Sequence, residues 1–361
     1  MLSPMLRADC RKLVSRVNIM SNAERPENRE LTGELDQTGR QLVLECTGAQ
    51  SIITEQCIQT LWSGCGKIVR VTVENTEHAL AESPKTVIVK YISVPLETDH
   101  PRGWNSQTSI QRKITSYQVE TNWYEHYANA CRHICPMPEL IAMKHHRNQT
   151  WLILEDLDPV YPVRRESLTP ENCVPCLQWL AKFHGYHLQS SGEKLWPEGS
   201  YWHLQTRPEE FMAMPDGPLK DASVMLDEKL SQCTWRTLVH GDAKVANICF
   251  SANQSKVAFV DFQYTGLGCG MRDVIYFLGS CLDEQQCEQY ASSLLDSYFN
   301  ALRNSLPASV SASVEQEWRD LYAIAWADFH RFLAGWMPNH HKINRYALAM
   351  TQKALDQLHA S

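Results

Sequence analysis

The sequence predicts an α+β fold, with a strand-rich N-terminal third broken by one long helix and a mainly helical remainder. Three observations carry this prediction. Short β-branched runs dominate from about Leu42 to Leu154, and beyond Asp158 apolar residues recur at helical spacing. Between the helical stretches lies a different segment, TLVHGDAKVANICF followed by KVAFVDFQYTGLGCGMRD, whose polar residues burial alone would not select. With 361 residues, 43% of them hydrophobic and 21% charged, the chain has an ordinary folded composition. No run of about 18 apolar residues occurs, so no membrane span is predicted.

Taken in order, residues 1–35 open with MLSPMLRADCRKLVSRVNIM, where Arg7, Arg11, Lys12 and Arg16 outnumber Asp9. This stretch reads as a disordered leader, an amphipathic targeting peptide or an upstream start. The predicted strands are QLVLEC, KIVRVTVEN, TVIVKYI and WLILED. A helix is predicted over Ser109 to Ala130, with Ile114, Tyr117, Val119, Trp123, Tyr124 and Tyr127 spaced around Glu120. An N-terminal lobe over 36–154, a hinge at 155–159 and a C-terminal lobe over 160–361 are expected. The second lobe begins at Thr169-Pro170-Glu171, an N-cap, a first-position proline and an early acid, before the apolar stripe Leu177, Leu180, Ala181 and His184. Further helices are expected over 283–302, 314–335 and 343–358, and Arg272-Asp273 is read as a plain helix start.

Lys plus Arg number 34 against 41 Asp plus Glu, a net charge of −7, which argues against a nucleic-acid partner. The 13 cysteines are odd in number and follow no clear secretory signal, so they read as reduced thiols of a cytoplasmic protein. Cys173-Val-Pro-Cys176 and Cys131-x-His133-x-Cys135 have metal-like spacing but sit in helical patterns without a second pair, and they read as structural. Oligomeric state is not readable.

Moving a phosphoryl group requires Mg²⁺ on phosphate oxygens, a carboxylate to receive the acceptor's proton and a cation on the remaining phosphates. The chain offers these in order. Asp242 and Asn247 lie five positions apart in His240-Gly241-Asp242-Ala243-Lys244-Val245-Ala246-Asn247, the spacing of a base and a metal ligand in a kinase catalytic loop. Asp261 ends a β-run fourteen positions later and offers hard oxygen ligands to Mg²⁺. Upstream, Lys90 in VIVK suits a strand lysine facing phosphate, and Glu120 on the next helix suits its partner. Ser63-Gly64-Cys65-Gly66 is either a hairpin turn or a phosphate cradle, and the third glycine of a G-x-G-x-x-G loop is replaced by Val69.

HGDxxxxN followed by a β-run and DFQ resembles the aminoglycoside phosphotransferase and choline kinase superfamily, and within it most nearly the ecdysteroid-kinase-like group. The matching pieces also include GCGKIVRVTV, Glu120-x-x-Trp123-Tyr124, LILEDL, LAKFHG, LVHGD and RDVIYFL, so the resemblance spans roughly residues 40–335. It implies a bilobal protein-kinase-like fold, with a small antiparallel-sheet lobe plus an αC-type helix and a larger helical lobe. Position by position, it implies Asp242 as catalytic base, Asn247 and Asp261 as Mg²⁺ ligands, and Lys244 near the transferred phosphate. It likewise implies Lys90 on the ATP phosphates with Glu120 as its partner, the turn of Gly64 and Gly66 close to those phosphates, and the Leu154–Leu157 stretch, including Glu155 and Leu157, as the adenine hinge.

Gln263 replaces the glycine of protein kinases and no A-P-E segment follows, so the expected partner is a hydroxylated small molecule rather than a protein. A choline-, aminoglycoside- or steroid-like alcohol would suit. The alternative is a nucleotide-binding pseudokinase acting as an interaction module. His184 and His240 read as structural supports, and Phe329-His330-Arg331, Trp336, His340, His341 and Lys342 as a solvated helix end or a cover over the acceptor.

Overall fold

A computed structural model describes residues 33–61, 64–74, 85–93 and 107–360. Nearly all of the expected leader, and Ser63, lie outside the described residues. Helix α1 (Gln37–Thr47) starts at Asp36, whose carboxylate accepts from the Gly39 amide at 2.7 Å, and stops at Gly48 in the left-handed conformation. It replaces the strand expected for QLVLEC. Gly39, Val43 and Thr47 recur every four residues and bury one helical face, a period that a six-residue apolar run conceals.

Strands β1 (Ser51–Thr60), β2 (Gly66–Glu74), β3 (Thr86–Ser93), β4 (Leu140–His146) and β5 (Gln149–Glu155) form an antiparallel sheet in the order β1-β2-β3-β5-β4. The two edge strands, β1 and β4, were not legible because neither buries a full residue face. Helix α2 (Gln107–His126) follows β3, breaks at Tyr127 and resumes as the single turn α3 (Ala128–Cys131), where one unbroken helix was expected.

The sheet's period of two then sorts its side chains. Val69, Val71, Val73, Val87, Val89, Trp151 and Ile153 bury one face together with Val43 of α1. Lys90, Ile92, Leu152 and Leu154 fall on the alternate positions, and Ile92, Leu152 and Leu154 join Tyr117, Trp123 and Tyr124 of α2 in the larger core. Alternation thus sends Lys90 to the α2 side of the sheet.

The second lobe opens with α4 (Pro170–Tyr186), capped by Thr169 as expected, with Leu177, Leu180, Ala181 and His184 all buried. Short helices α5 (Pro208–Ala213), α6 (Pro218–Asp221) and α7 (Ser223–Ser231) come next. Two antiparallel pairs then carry the distinctive segment: β6 (Thr237–Val239) with β9 (Gly266–Gly268), and β7 (Ile248–Phe250) with β8 (Val257–Phe259). Helices α8 (Met271–Cys281), α9 (Glu284–Arg303), α10 (Ala308–Trp336) and α11 (Arg345–Ala360) complete the lobe, α9 behind an Asp283/Gln286 capping box.

The architecture is the expected one, a small antiparallel-sheet lobe with a long helix and a larger, mainly helical lobe. Phe262 of the second lobe stacks on Trp123 of α2 with centroids 4.8 Å apart and rings 11° from parallel, so one core runs through both lobes. Cys173 and Cys176 are buried in α4, with Cys173 Sγ 3.8 Å from Cys281 Sγ. No helix among the described residues is long and apolar enough to cross a membrane.

Candidate active site

Strand β6 leads into the buried His240-Gly241-Asp242, and a 3₁₀ turn over Val245–Asn247 returns the chain to β7. Gly241 has φ +79° and a Cβ there would lie 2.1 Å from the Tyr264 carbonyl, so only glycine fits. Asp261, just past β8, holds φ +71°, which is uncommon for a residue with a side chain and costs about 1–3 kcal/mol of backbone strain.

The loop is braced from below. The buried Asp273 carboxylate accepts from the amides of His240 (2.5 Å) and Gly241 (2.9 Å) and from His184 Nε2 (3.1 Å). His184 Nδ1 in turn meets the Tyr298 hydroxyl at 2.8 Å. His240 accepts from the Asp242 amide at Nδ1 and donates from Nε2 to the Val260 carbonyl at 3.1 Å, joining the two loops. Both histidines therefore support the loop, as expected. Asp273 does far more than start a helix.

Asp242 is 5% exposed, and its two oxygens differ. Oδ2 accepts from Lys244 Nζ at 2.9 Å and from Asn247 Nδ2 at 3.0 Å. Oδ1 is buried and makes no hydrogen bond of ordinary length, with the Tyr276 hydroxyl facing the carboxylate. Burial would lower the Lys244 pKa, but Asp242 beside it holds it above its ordinary value, so the ammonium is retained. Asn247 spends its amide nitrogen on Asp242, which leaves its side-chain oxygen for a cation.

Across the cleft, Lys90 is buried against the equally buried Glu120, Nζ to Oε2 2.7 Å, and reaches Asp261 Oδ1 at 3.3 Å. Burial works against its charge, yet the two carboxylates raise its pKa and keep it protonated. Burial would raise Asp261, but the ammoniums of Lys90, Lys113 and Lys244 hold it down at about 2, while a third of its side chain stays exposed. The sequence thus placed Lys90, Glu120, Asp242, Lys244, Asn247 and Asp261 in one site, and the fold brings them together.

The remaining predicted residues sit at its edges. Gly64 and Gly66 shape the β1–β2 hairpin turn with φ of +72° and +131°, and a Cβ on Gly66 would lie 2.0 Å from the Tyr91 carbonyl. Glu155 ends β5, giving its amide to the Glu139 carbonyl at 2.9 Å and accepting from the Glu139 amide at 3.2 Å. Leu157 is buried beside Tyr161, Cys249 and Ala258, against the hairpin that leads to Asp261. Arg70 of β2, not singled out from the sequence, clamps Asp156 at 2.8 Å and also bonds Asp158, tying the sheet to the segment that follows β5.

A cavity of about 390 Å³ opens beside the loop over residues 240–247, walled by Tyr201, Tyr264, Phe332, Trp336, Arg112 and Arg207. Tyr201 donates its amide to the Gly241 carbonyl at 3.2 Å, which fixes this wall to the loop. Of the polar and aromatic C-terminal cluster, Trp336 stacks on Phe332 at 5.5 Å, and Lys342 lies 5.0 Å from the Tyr276 ring. None of the cavity's cations was singled out from the sequence, because their grouping depends on contacts across some 90 to 220 residues of chain.

Among the described residues no three His, Cys, Asp or Glu side chains are placed to hold a metal ion. The donors at hand are the Asp261 carboxylate and the Asn247 amide oxygen, a set that suits Mg²⁺ shared with phosphate oxygens rather than a protein-caged transition metal. No curated protein matches the sequence. Similar solved structures include a choline kinase from Cryptosporidium parvum Iowa II (11% identity, 89% of this chain and 95% of that one, TM-score 0.49). A choline kinase from Streptococcus pneumoniae aligns at 11% identity over 90% of this chain and 100% of that one, TM-score 0.45. An aminoglycoside phosphotransferase from Streptomyces rimosus ATCC10970 aligns at 12% identity over 80% and 99%, TM-score 0.44. Residues 204–309, which carry Asp242, Asn247, Asp261 and Asp273, match the ecdysteroid kinase-like family, the group that the motifs of this sequence resemble.

Proposed function

We propose that the chain is an ATP- and Mg²⁺-dependent kinase that phosphorylates a hydroxyl of a small molecule. The observation that carries this reading is the asymmetry of Asp242: one carboxylate oxygen is anchored by Lys244 and Asn247, and the other makes no hydrogen bond of ordinary length. When bound, ATP would supply the phosphoryl group and Mg²⁺ positive charge to offset that of its phosphates. Asp261 and Asn247 hold the cation, and Lys90, fixed by Glu120, presents its ammonium to the phosphates. The hinge Leu154–Leu157 receives the adenine, and the Gly64–Gly66 turn lets backbone amides come close to phosphate.

Asp242 Oδ1 orients the acceptor hydroxyl and takes its proton. Anchoring Oδ2 restricts rotation of the carboxylate, so the other oxygen is pre-aimed, and general bases of this type contribute roughly 10²–10⁴-fold. A nucleotide-binding module without catalysis has no use for that arrangement. The test is Mg²⁺-dependent ADP formation across a library of hydroxylated small molecules. One compound class should stimulate the wild type and leave Asp242→Asn at background; equal stimulation of both proteins would refute the assignment.

A further inference from the structure

The cavity beside the catalytic loop has a charge pattern that the phosphate machinery does not use. Five charged side chains line it: Arg112, Lys113, Arg207, Glu209 and Glu210. Arg207 is consumed locally, giving Nη1 to Glu210 at 3.0 Å and Nε to the Tyr201 carbonyl at 2.6 Å, with its guanidinium 5.1 Å from the Phe332 ring. Lys113 gives its ammonium to the neutral Gln263 Oε1 at 2.7 Å. Arg112 donates to the Thr206 carbonyl (2.8 Å) and the Ser109 hydroxyl (3.2 Å), and among the described residues no carboxylate pairs with it.

Lys113 also acts on Asp261, and Glu210 is taken by Arg207, so Arg112 is the cavity cation left without a carboxylate of its own among the described residues. Burial and the neighbouring Arg207 push the Arg112 pKa down, and Tyr264, Glu210 and Glu209 offset this only in part. A partly buried guanidinium without a carboxylate, held beside a second guanidinium, is a fork waiting for an oxyanion. The wall around it is built rather than loose. A Cβ on Gly335 would lie 1.8 Å from the Glu210 carbonyl, so α5 rests directly on α10 and the aromatic rings of Phe332 and Trp336 are set against Arg207.

We propose that the acceptor is a hydroxylated ring compound bearing an oxyanion, its ring against Tyr201, Phe332 and Trp336 and its anionic group on Arg112. This rests on the kinase reading for the word acceptor, but the binding preference is measured without nucleotide. Isothermal titration calorimetry on the full chain would compare 6-(hydroxymethyl)-2-naphthoate, the matching sulfonate, the neutral carboxamide and the trimethylammonium analogue. At least one anionic probe should bind tenfold or more tighter than the carboxamide, with the preference weakened by salt.

Arg112→Gln should erase that preference while the carboxamide affinity stays within twofold, and Arg112→Lys should restore part of it. A sulfonate that binds like the naphthoate supports a general oxyanion site; binding of the naphthoate alone supports it and narrows it to carboxylates. Overturning results are a carboxamide or trimethylammonium probe that binds as tightly as the anions, a preference that survives Arg112→Gln, or no binding by any probe. MgATP titrated into the same samples separates the two claims, because loss of nucleotide binding would strike the kinase reading and leave the anion preference to be judged by itself.

Discussion

At the scale of single residues, the site turns on two aspartates held in different surroundings. Asp242 is anchored on one oxygen by Lys244 and Asn247, and Asp261 is ringed by three lysines. Asp242→Asn should therefore cut turnover by roughly 10²–10⁴-fold with the unfolding midpoint little changed, measured by ADP formation and by urea denaturation. Lys342 gives a second prediction. Burial lowers its pKa to about 8 from the usual 10.5, so between those values the unfolded chain binds more protons than the folded one. The charged form thus penalises the fold fully below pH 8, and the penalty fades as pH rises towards 10.5. Relative to Lys342→Met, the wild type should gain urea resistance from pH 8 to pH 10; parallel pH profiles would contradict this.

The residues of this site that were legible are those whose spacing along the chain carries the chemistry. Asp242, Asn247 and Asp261 stand in one short stretch, and Lys90 and Glu120 fit it by order. Asp273, Arg70 and Arg112 were not legible as site residues. Each acts on a group that folding alone brings near: Asp273 on the His240 and Gly241 amides, Arg70 on Asp156, and Arg112 on the cavity.

At the scale of elements, helices with caps and apolar stripes were read correctly, and edge strands were not. Thr169-Pro170 and the stripe Leu177, Leu180, Ala181 and His184 found α4, whereas β1 buries too little of SIITEQCIQT to show a period of two. QLVLEC was misread because its capping signals, Asp36 and Gly48, lie outside the apolar run. The element-level device that matters most is the start of α8, where Asp273 serves three buried donors. Asp273→Ala would strand those donors in the core and should cost about 3–5 kcal/mol, read from urea unfolding. A loss under about 1 kcal/mol would show that the brace is dispensable.

At the scale of the whole molecule, one core joins the lobes. Trp123 of α2 stacks on Phe262 and also meets Phe183 at 5.5 Å, so the helix that carries Glu120 is packed onto the segment that carries Asp261. Trp123→Ala should cost about 3–5 kcal/mol, and wild type and variant should each unfold in one transition by fluorescence and far-ultraviolet circular dichroism. Separate transitions for sheet and helix signals would contradict a shared core. The most direct test of the central claim, that Asp261 with Asn247 serves the nucleotide's cation while Asp242 serves the acceptor's proton, is calorimetric titration of ATP with and without Mg²⁺. Wild type and Asp242→Asn should bind MgATP within threefold of each other, and Asp261→Ala should lose the Mg²⁺-dependent part of the affinity. An Asp261→Ala protein that binds MgATP as the wild type does, with the same dependence on Mg²⁺, would contradict the account.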